Sequence, residues 1–309
     1  MEEIITVFTP TYNRANLLPR AYEALRRQSC KKFVWMIIDD GSTDNTEQIV
    51  KEMIDHESEF KIQYVKKENG GLHTGYNTAI KYATTELMFN IDSDDWIAEN
   101  AIQKIVDFWY SQPDRDKFAG IVALDCFESG KIVGRKFPEG RCFNFIDRFI
   151  SPDAKTYGDC AAVVRTDLYK EVAPMKSFPG EKNFNPDWLL LEIAKKYDLL
   201  VMNEPLKCIE YQPTGMSASI FRQYLNSPNS FAEIRKQYLG FEGSSFKFKV
   251  RHTIHYVSSC FIAKKGIKET IMGTGMPALC FCCLPLGLLL SLFIRFRVRF
   301  NWDRKITNN

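Results

Sequence analysis

Four short apolar runs in the first part of the chain each end abruptly in a cluster of polar residues. The runs cover residues 4–9, 33–38, 62–65 and 87–91. Apolar residues recur at helical spacing in the segments that follow them, over residues 16–28, 44–56, 74–83 and 97–109. This alternation of strands and helices predicts βαβ units, and therefore an α/β fold with a Rossmann-like, mostly parallel sheet flanked by helices.

The polar clusters occupy residues 9–14, 39–44, 69–74 and 92–95. Open parallel sheets bind their ligands at the carboxyl ends of the strands. Because each cluster follows a strand, we expect all four to meet at one edge of the sheet and to form a single site. Beyond residue 112 the pattern loosens. It predicts strands over 120–125 and 160–165, a hairpin partner over 131–135 and a helix over 187–197.

The cluster at 92–95 contains three carboxylates, Asp92, Asp94 and Asp95. Carboxylates packed this closely repel one another unless a cation is present. Hard oxygen ligands suit Mg²⁺ or Mn²⁺, with phosphate oxygens and water completing the coordination shell. Asp95 is also placed to cap the next helix, but capping needs one aspartate and not three. The cluster therefore predicts a divalent-cation site beside a bound phosphate.

The other clusters carry groups that suit a nucleotide. Tyr12 is placed to stack on a base and Arg14 to meet a phosphate. An aspartate in 39–44 is placed to accept from a base or a ribose, or else to make an ordinary turn. The glycine pair at 70–71 allows close backbone approach and an anion cradle at a helix start. The neighbouring His73 is either a ligand or a plain loop histidine.

These motifs, taken in order, resemble those of the family 2 glycosyltransferases, which have the GT-A fold. The stretches are TPTYNR at 9–14, IDDGSTD at 38–44, NGGLHTGYNTA at 69–79 and NIDSDD at 90–95. The resemblance covers roughly residues 1–215 and implies an inverting transferase that uses a nucleotide diphosphate sugar, most often with a uridine base. It implies metal binding by Asp94 with Asp92. It also implies a nucleotide-sugar site made of Pro10, Tyr12, Arg14, Asp39, Asp40, Gly71, His73, Asn77, Asp92 and Ser93.

The family also has a carboxylate base at the start of a helix on the acceptor side, often in a Glu-Asp pair. No such pair occurs in residues 180–188. Asp187 lies at the predicted helix start after Pro186, so it is favoured as the base, with Glu181 as the alternative. Asp159 and Trp188 are the candidates for binding the acceptor, a glycan or a lipid-linked glycan.

Two rival functions remain open. A nucleotidyltransferase needs a glycine-rich, basic phosphate loop after the first strand, where this chain has TPTYNR. A catalytically inactive scaffold that binds sugar nucleotides is kept open by the missing Glu-Asp pair. A nucleic-acid binder is not expected, because the formal net charge is only +3.

The C-terminal part of the chain differs in composition from the rest. Residues 241–309 contain 11 Lys or Arg against 3 Asp or Glu, with apolar residues interleaved. We therefore predict a catalytic domain at 1–240, with a nucleotide-sugar half at 1–112 and an acceptor half at 113–240. A basic, apolar helical tail at 241–309 is predicted to associate with a membrane surface.

Within this tail, residues 276–294 carry no charge, which is near the minimum length for a membrane span. Pro277, Pro285 and Gly287 interrupt the run, and the arginines that follow favour the cytoplasm, where nucleotide sugars are made. We therefore expect a re-entrant hairpin bent near Pro285, or an interfacial helix like the amphipathic 250–262. The alternatives are a helix packed on the catalytic domain and a homo-oligomer interface. Either membrane arrangement locates the protein at the cytoplasmic face of the cell membrane.

The nine cysteines are scattered, with no pair of C-x-x-C motifs, so buried reduced thiols are expected and a structural zinc is not. The first residues lack a basic segment and a long apolar segment, so no signal peptide is predicted.

Overall fold

The computed structural model describes residues 2–151, 157–210 and 219–300. These residues form two compact units. The first comprises residues up to 175 together with 189–210, and the second comprises 176–188 together with the described residues from 219 onward. This division groups residues 176–188 and 219–240 with the C-terminal helices.

The first unit is built on a nine-stranded sheet. Its strands are β1 (Ile5–Thr11), β2 (Phe33–Asp39), β3 (Lys61–Lys66), β4 (Leu87–Asn90), β5 (Trp96–Ile97), β6 (Gly120–Cys126), β7 (Cys142–Phe143), β8 (Cys160–Arg165) and β9 (Leu199–Cys208). Their order is β3-β2-β1-β4-β8-β6-β9-β5, with β7 paired to β9. The strands β3, β2, β1 and β4 are parallel, as predicted. The rest of the sheet is mixed, because β8 pairs antiparallel with β4 and β6 whereas β9 runs parallel to β6.

Helices flank this sheet. They are α1 (Leu18–Arg26), α2 (Thr46–His56), α3 (Leu72–Tyr82), α4 (Ala101–Tyr110), α5 (Asp147–Ile150), α6 (Thr166–Val172) and α7 (Asp187–Ile193), the last of which begins in the second unit. The apolar face of α1 buries Leu18, Tyr22 and Leu25, and the Tyr22 ring stacks on Trp35 of β2 at 6.1 Å. Trp35 is fully buried, so the core lies between the sheet and its helices.

Two predicted elements of the first unit are wrong. The helix expected over 97–109 begins only at Ala101, because Trp96 and Ile97 form β5 and pair with Cys208 and Lys207 of β9. The hairpin partner expected at 131–135 makes only isolated bridges. Ile132 bridges the end of β6 antiparallel at Cys126, but the long pairings of β6 are with β8 and β9, and all seven of its residues are buried.

The second unit is helical. Its further helices are α8 (Ile220–Asn226), α9 (Pro228–Leu239), α10 (Phe246–Ile262), α11 (Ile267–Met272) and α12 (Pro277–Arg299). A small core joins α9, α10 and α12, where Ala232 packs with Tyr256, Val257, Cys260 and Cys280. The expectation that 250–262 is an interfacial helix is wrong, because α10 is largely buried by its neighbouring helices.

The apolar run of the tail forms one continuous helix, so the re-entrant hairpin bent near Pro285 is wrong. Pro285 lies inside α12, where it removes one backbone hydrogen bond without ending the helix. Packing on α10 supports the turns around it, since a Cβ added at Gly287 would lie 2.3 Å from Val257 Cγ1. By length and composition alone, α12 is the one described helix able to cross a membrane.

All nine cysteines are free thiols. Most are at least partly buried, as expected, but Cys142 and Cys282 are exposed.

Candidate active site

The first two polar clusters are tied together by Asn13. Its backbone N–H donates to Ser42 Oγ at 2.9 Å, and its side-chain oxygen accepts from the backbone N–H of Thr43 at 2.8 Å. Asn13 has φ 52°, a left-handed conformation that asparagine tolerates better than most residues. The loops after β1 and β2 are therefore held in one fixed arrangement.

The second and third clusters are joined by the buried carboxylate of Asp40. Its Oδ1 accepts from Gly70 N at 2.9 Å and from Lys67 Nζ at 2.6 Å, and its Oδ2 accepts from Gly71 N at 2.7 Å. Gly71 begins α3 with φ 93°, a conformation that favours glycine. The anion cradle predicted from the glycine pair thus exists, but it holds the protein's own Asp40.

Asp39 ends β2 and is fully buried. Its Oδ1 accepts from Ser42 N at 2.7 Å, and its Oδ2 accepts from the Tyr64 hydroxyl of β3. Burial raises the pKa of Tyr64, and this contact with Asp39 raises it further, so the hydroxyl stays protonated. A carboxylate oxygen has two lone pairs, so Asp39 keeps capacity to accept a further hydrogen bond.

The acidic cluster after β4 is clamped by two arginines from the first loop and α1. Arg14 Nη1 lies 2.8 Å from Asp94 Oδ2, and Arg20 Nη2 donates to the Asp94 carbonyl oxygen at 2.5 Å. Asp92 is partly buried beside them. Burial raises the pKa of Asp92, the charge of Lys207 opposes this, and the nearby Asp94 carboxylate raises the pKa further.

A buried lysine lies behind this cluster. Lys207 is only 9% exposed, and its Nζ lies 3.4 Å from Asp95 Oδ2 and 3.5 Å from Asp125 Oδ2. Burial raises the pKa of Asp95 to about 7 and that of Asp125 to about 6, against the opposing charge of Lys207. Burial alone would lower the pKa of Lys207, but Asp125 and Asp95 outweigh it and raise the pKa. Buried charges of this kind persist only when they are paired.

The donor set of the acidic cluster fits a divalent cation. Asp92 and Asp94 offer carboxylate oxygens, and their mutual repulsion is relieved by a positive ion. In the described residues no group of three or more His, Cys, Asp or Glu side chains is placed to hold a metal. Mg²⁺-type sites use one or two carboxylates and complete their shell with phosphate and water, so the pair Asp92 and Asp94 offers enough protein ligands for such a site.

The remaining nucleotide-site candidates of the first unit lie in different surroundings. Pro10 belongs to β1 and closely approaches Gly75 of α3, where an added Cβ would lie 3.2 Å from the proline. Tyr12 is 47% exposed, so its ring face is accessible for stacking. His73 and Ser93 are buried, and His73 lies in the first turn of α3 and not in a loop.

Two further candidates are engaged within the first unit. The side-chain amide of Asn77 donates to the Met175 carbonyl at 3.0 Å and accepts from the Met175 N–H at 2.8 Å. Asn77 therefore anchors the chain near residue 175, and both groups of its amide are in use. Asp159 is exposed and lies 3.7 Å from Arg148 Nη2.

Asp187 and Trp188 belong to the second unit. Asp187 begins α7, where its backbone N–H donates to Asn185 Oδ1 at 3.0 Å, and its side chain is partly buried. The Trp188 ring meets Phe184 edge-on at 6.0 Å between centroids. The predicted base therefore lies at a helix start, although this helix is short.

Glu181 has a different environment. Its Oε1 accepts from the backbone and side-chain N–H groups of Asn229, and its Oε2 accepts from the backbone N–H and the hydroxyl of Ser230, all within 2.8 Å. Asn229 and Ser230 are in the first turn of α9, whose orphan N–H groups need such an acceptor. This glutamate is therefore the capping carboxylate of α9.

Sequence reasoning missed Asn13, Arg20, Asp125 and Lys207. Asp125 of β6 and Lys207 of β9 are partners in the strand register, and a local sequence pattern does not predict a pairing between residues so far apart in the chain. A lysine between the apolar residues Leu206 and Cys208 at the end of β9 was the available signal for Lys207.

The family model for glycosyl transferase family 2 matches residues 6–172, which include all the loops of this site. The chain belongs to this family. The chain is 32% identical over 112 residues to the glycosyltransferase GlyA of Streptococcus pneumoniae, covering 35% of this chain and 16% of GlyA. It is 28% identical over 100 residues to the chondroitin synthase of Pasteurella multocida, covering 32% of this chain and 10% of that enzyme. The chain thus spans less than a fifth of the length of these relatives.

Solved structures with the same fold cover nearly the whole chain. Residues 1–349 of Staphylococcus aureus TarS, in complex with UDP, superpose with a TM-score of 0.57 at 16% identity, over 96% of this chain and 92% of that 1–349 chain. The mannosyltransferase PcManGT from Pyrobaculum calidifontis, in complex with GDP-Man and Mn²⁺, gives a TM-score of 0.54 at 18% identity, over 96% of this chain and 83% of the PcManGT chain. These similarities confirm the GT-A fold.

Proposed function

We propose that this glycosyltransferase moves a sugar, with inversion, from a UDP-sugar to an acceptor hydroxyl, with the help of Mg²⁺ or Mn²⁺. The observation that carries the proposal is the cluster of loops after β1, β2, β3 and β4, which two hydrogen bonds and the Arg14–Asp94 ion pair join to one another. Complexes of TarS with UDP and UDP-GlcNAc support uridine as the base.

On the donor side, Tyr12 stacks on the base and Asp39 accepts a hydrogen bond from the base or the ribose. Asp40, whose oxygens accept from Gly70, Gly71 and Lys67, acts by keeping the third loop in place. We therefore assign Asp40 to positioning and Asp39 to contact with the nucleotide. Pro10, through its close approach to α3, shapes the floor of the nucleotide site.

On the metal side, Asp94 and Asp92 supply the oxygen ligands. The bound cation supplies Lewis-acid neutralisation of the departing diphosphate. Arg14 forms an ion pair with the Asp94 carboxylate. When the diphosphate is bound, Arg14 offers the diphosphate a positive group in addition to the cation. Behind the cluster the charge of Lys207 opposes the rise that burial causes in the pKa of Asp95 and Asp125, and the ion pairs hold this part of the loop in place.

On the acceptor side, we propose that Asp187 takes the proton from the acceptor hydroxyl as it attacks the anomeric carbon in a single displacement. Glu181, the alternative base, is disfavoured because both of its oxygens already accept hydrogen bonds from α9. Trp188 and Asp159 are proposed to bind the acceptor.

The acceptor is proposed to be a growing polysaccharide or a lipid-linked glycan of the cell envelope, elongated at the cytoplasmic face of the membrane. Chondroitin synthase and hyaluronan synthase of Pasteurella multocida, both similar to this chain over 100 residues, carry polysaccharide names that support this choice.

Calorimetry with UDP and Mn²⁺ tests the donor site. We expect wild-type binding to vanish on addition of EDTA and in Asp94→Ala, because the cation loses its carboxylate ligand. Tyr82→Glu, an exposed position on α3, serves as the control and should bind normally. Unchanged Mn²⁺-dependent affinity in Asp94→Ala would refute the metal assignment. Binding without any turnover of UDP-sugars would favour the inactive scaffold.

A further inference from the structure

The helix α12 has two unlike faces. Its buried residues recur every three or four positions and line one face: Cys280, Cys283, Gly287, Ser291 and Ile294. The opposite face is exposed over the length of the helix and consists of large apolar side chains. They are Phe281, Leu286, Leu288, Leu289, Leu292, Phe293, Phe296 and Phe300, each between 44% and 65% exposed. We call these eight residues the apolar face.

Exposure on this scale needs an explanation. Soluble proteins seldom expose contiguous apolar patches of this kind, and those that do use them for binding. The packing of α12 on α10 uses the other face. On the apolar face the Phe293 ring meets Phe221 of α8 edge-on at 6.1 Å between centroids, and Phe293 is still 48% exposed. An aqueous surface helix places polar residues there instead.

We propose that the apolar face docks on an anionic lipid bilayer, with α12 lying in the plane of the membrane at the level of the headgroups. This inference stands apart from sugar transfer, because it rests on the second unit alone.

Packing favours the in-plane orientation over a span. Gly287 abuts Val257, and Arg295 Nη2 donates to the Ile262 carbonyl at 3.4 Å, so α12 is fixed to α10 over most of its length. A spanning α12 must either leave α10 or draw it into the hydrocarbon, and α10 carries charged groups such as Arg251. Both routes cost far more free energy than lying at the interface.

The proline supports the same orientation. Pro285 has no N–H, so the carbonyl of Phe281, four residues earlier, lacks its helical donor. At the headgroup level water satisfies such a carbonyl, whereas in the hydrocarbon centre an unsatisfied carbonyl is strongly unfavourable.

Charge favours anionic lipid over a second copy of the chain. Arg295 and Arg299 are exposed next to the apolar face, and residues 270–300 contain no Asp or Glu. A second copy docked through this face adds more of the same charge. Anionic headgroups provide the opposite charge beside an apolar layer that accepts Phe and Leu side chains.

Flotation of the full chain with preformed vesicles tests the proposal. The vesicles contain phosphatidylcholine alone, or equal parts of phosphatidylcholine and phosphatidylglycerol. We expect binding to the mixed vesicles, weaker binding to the neutral ones, and only partial release by high salt. The double variant Leu289→Glu with Leu292→Glu should lower the affinity about tenfold or more, since it places two carboxylates on the docking face.

Matched controls separate docking from misfolding. Tyr82→Glu makes the same kind of change on α3, in the first unit, and should float like the wild type. Both variants should keep the wild-type circular dichroism and the Mn²⁺-dependent binding of UDP, so failure here is distinguishable from failure of the proposed function. Equal flotation of the double variant and the wild type would overturn the proposal.

Orientation is tested with single cysteines at Ala278 and Arg299, in a chain without the exposed thiols Cys142 and Cys282. Protein bound to the outside of sealed vesicles is treated with a membrane-impermeant maleimide. Labelling at both ends is expected for the in-plane helix. Protection of one end means a span and overturns the orientation. A dimer that forms without vesicles and is lost in the double variant means a second copy, and overturns the choice of lipid.

Discussion

Lys207 has the most demanding environment of any residue near the acidic cluster. It carries a positive charge out of water and compensates Asp95 and Asp125, both of which are buried. The arrangement is a three-member charge cluster with net charge −1 when both carboxylates are ionised. Burial raises the pKa of both aspartates by more than the charge of Lys207 lowers it.

Replacing Lys207 by Met should therefore destabilise the chain by about 3 kcal/mol or more, because it leaves two buried carboxylates without a partner. The loss should grow as the pH rises from 5 to 8 and the carboxylates ionise. Urea unfolding at several pH values measures it. Asp125→Asn alone should destabilise the chain less than Lys207→Met, because Lys207 keeps its ion pair with Asp95. A Met variant as stable as the wild type at high pH would show that the cluster is dispensable.

Glu181 caps α9 through both of its oxygens, whereas Asp187 begins α7 and is the proposed base, so their conservative variants should have different effects. Asp187→Asn should lower kcat by about 10²-fold or more and keep UDP affinity, as expected for loss of a general base. Glu181→Gln should instead lower the free energy of unfolding by about 1–3 kcal/mol, because one capping oxygen becomes a donor facing N–H groups. Rates and melting temperatures of both variants decide between the two residues. A large kcat loss in Glu181→Gln with normal stability would reverse the assignment.

At the scale of elements, local patterns predicted the parallel half of the sheet well. In β1 to β4 each strand contains an apolar run that ends in polar residues. The strands β1, β2 and β3 are neighbours in chain order, and β4 pairs with the other edge of β1. The other half depends on pairings between residues far apart in sequence. Asp125 meets Lys207 and Cys126 meets Cys208, with the two sulfurs 3.0 Å apart, because β6 and β9 run side by side. Periodicity holds no information on such registers, so the buried lysine site and the cysteine pair were unpredictable.

The helix α10 was predicted correctly as a helix, but the prediction that one of its sides faces a membrane interface was wrong. Its polar residues suggested a water-facing side, yet His252 is buried against Phe248 and Tyr238, and Arg235 Nη1 lies 2.9 Å from its Nδ1. An amphipathic pattern gives the position of an apolar stripe, and it does not tell whether another helix covers the polar side. The helix α9 does so here.

Burial lowers the pKa of His252 to about 3 and that of His255 to about 4, and the charges of Arg235 and Arg251 add to the effect. A histidine whose pKa is lowered in the folded state makes its full contribution to stability above pH 6.5, the ordinary pKa. That contribution is lost as the pH falls below 6.5 towards the folded-state pKa, because the unfolded chain then binds the proton more readily. The second unit should therefore lose stability on acidification from about pH 7 to about pH 4. His252→Gln, which keeps an acceptor for Arg235, should weaken this pH dependence. An identical slope of melting temperature against pH in wild type and variant would contradict the prediction.

At the scale of the whole molecule, composition suggested a boundary near residue 240, where the tail becomes basic and apolar. Packing divides the chain differently, because the second unit takes in residues 176–188 and the described residues from 219 onward. Glu181 caps α9, and α9 in turn packs on α10. The donor-site contacts, by contrast, all lie within the first unit.

A chain ending at residue 240 should consequently lose much of the order of its second unit and keep its donor site. The cut removes α10 and uncovers the residues of α9 that face it, among them Ala232 and Tyr238. Exposed apolar surface of this kind should appear as dye binding by 1-anilinonaphthalene-8-sulfonate and as a lower melting temperature. A chain ending at residue 300 keeps all five helices of the tail and α9 region, so it is the control and should behave as the full chain does. UDP should still bind to the shorter chain in the presence of Mn²⁺, since Asp94, Arg14 and Asp39 remain. If the 240-residue chain melts like the control, α9 is stable without α10 and the boundary near 240 is the better description.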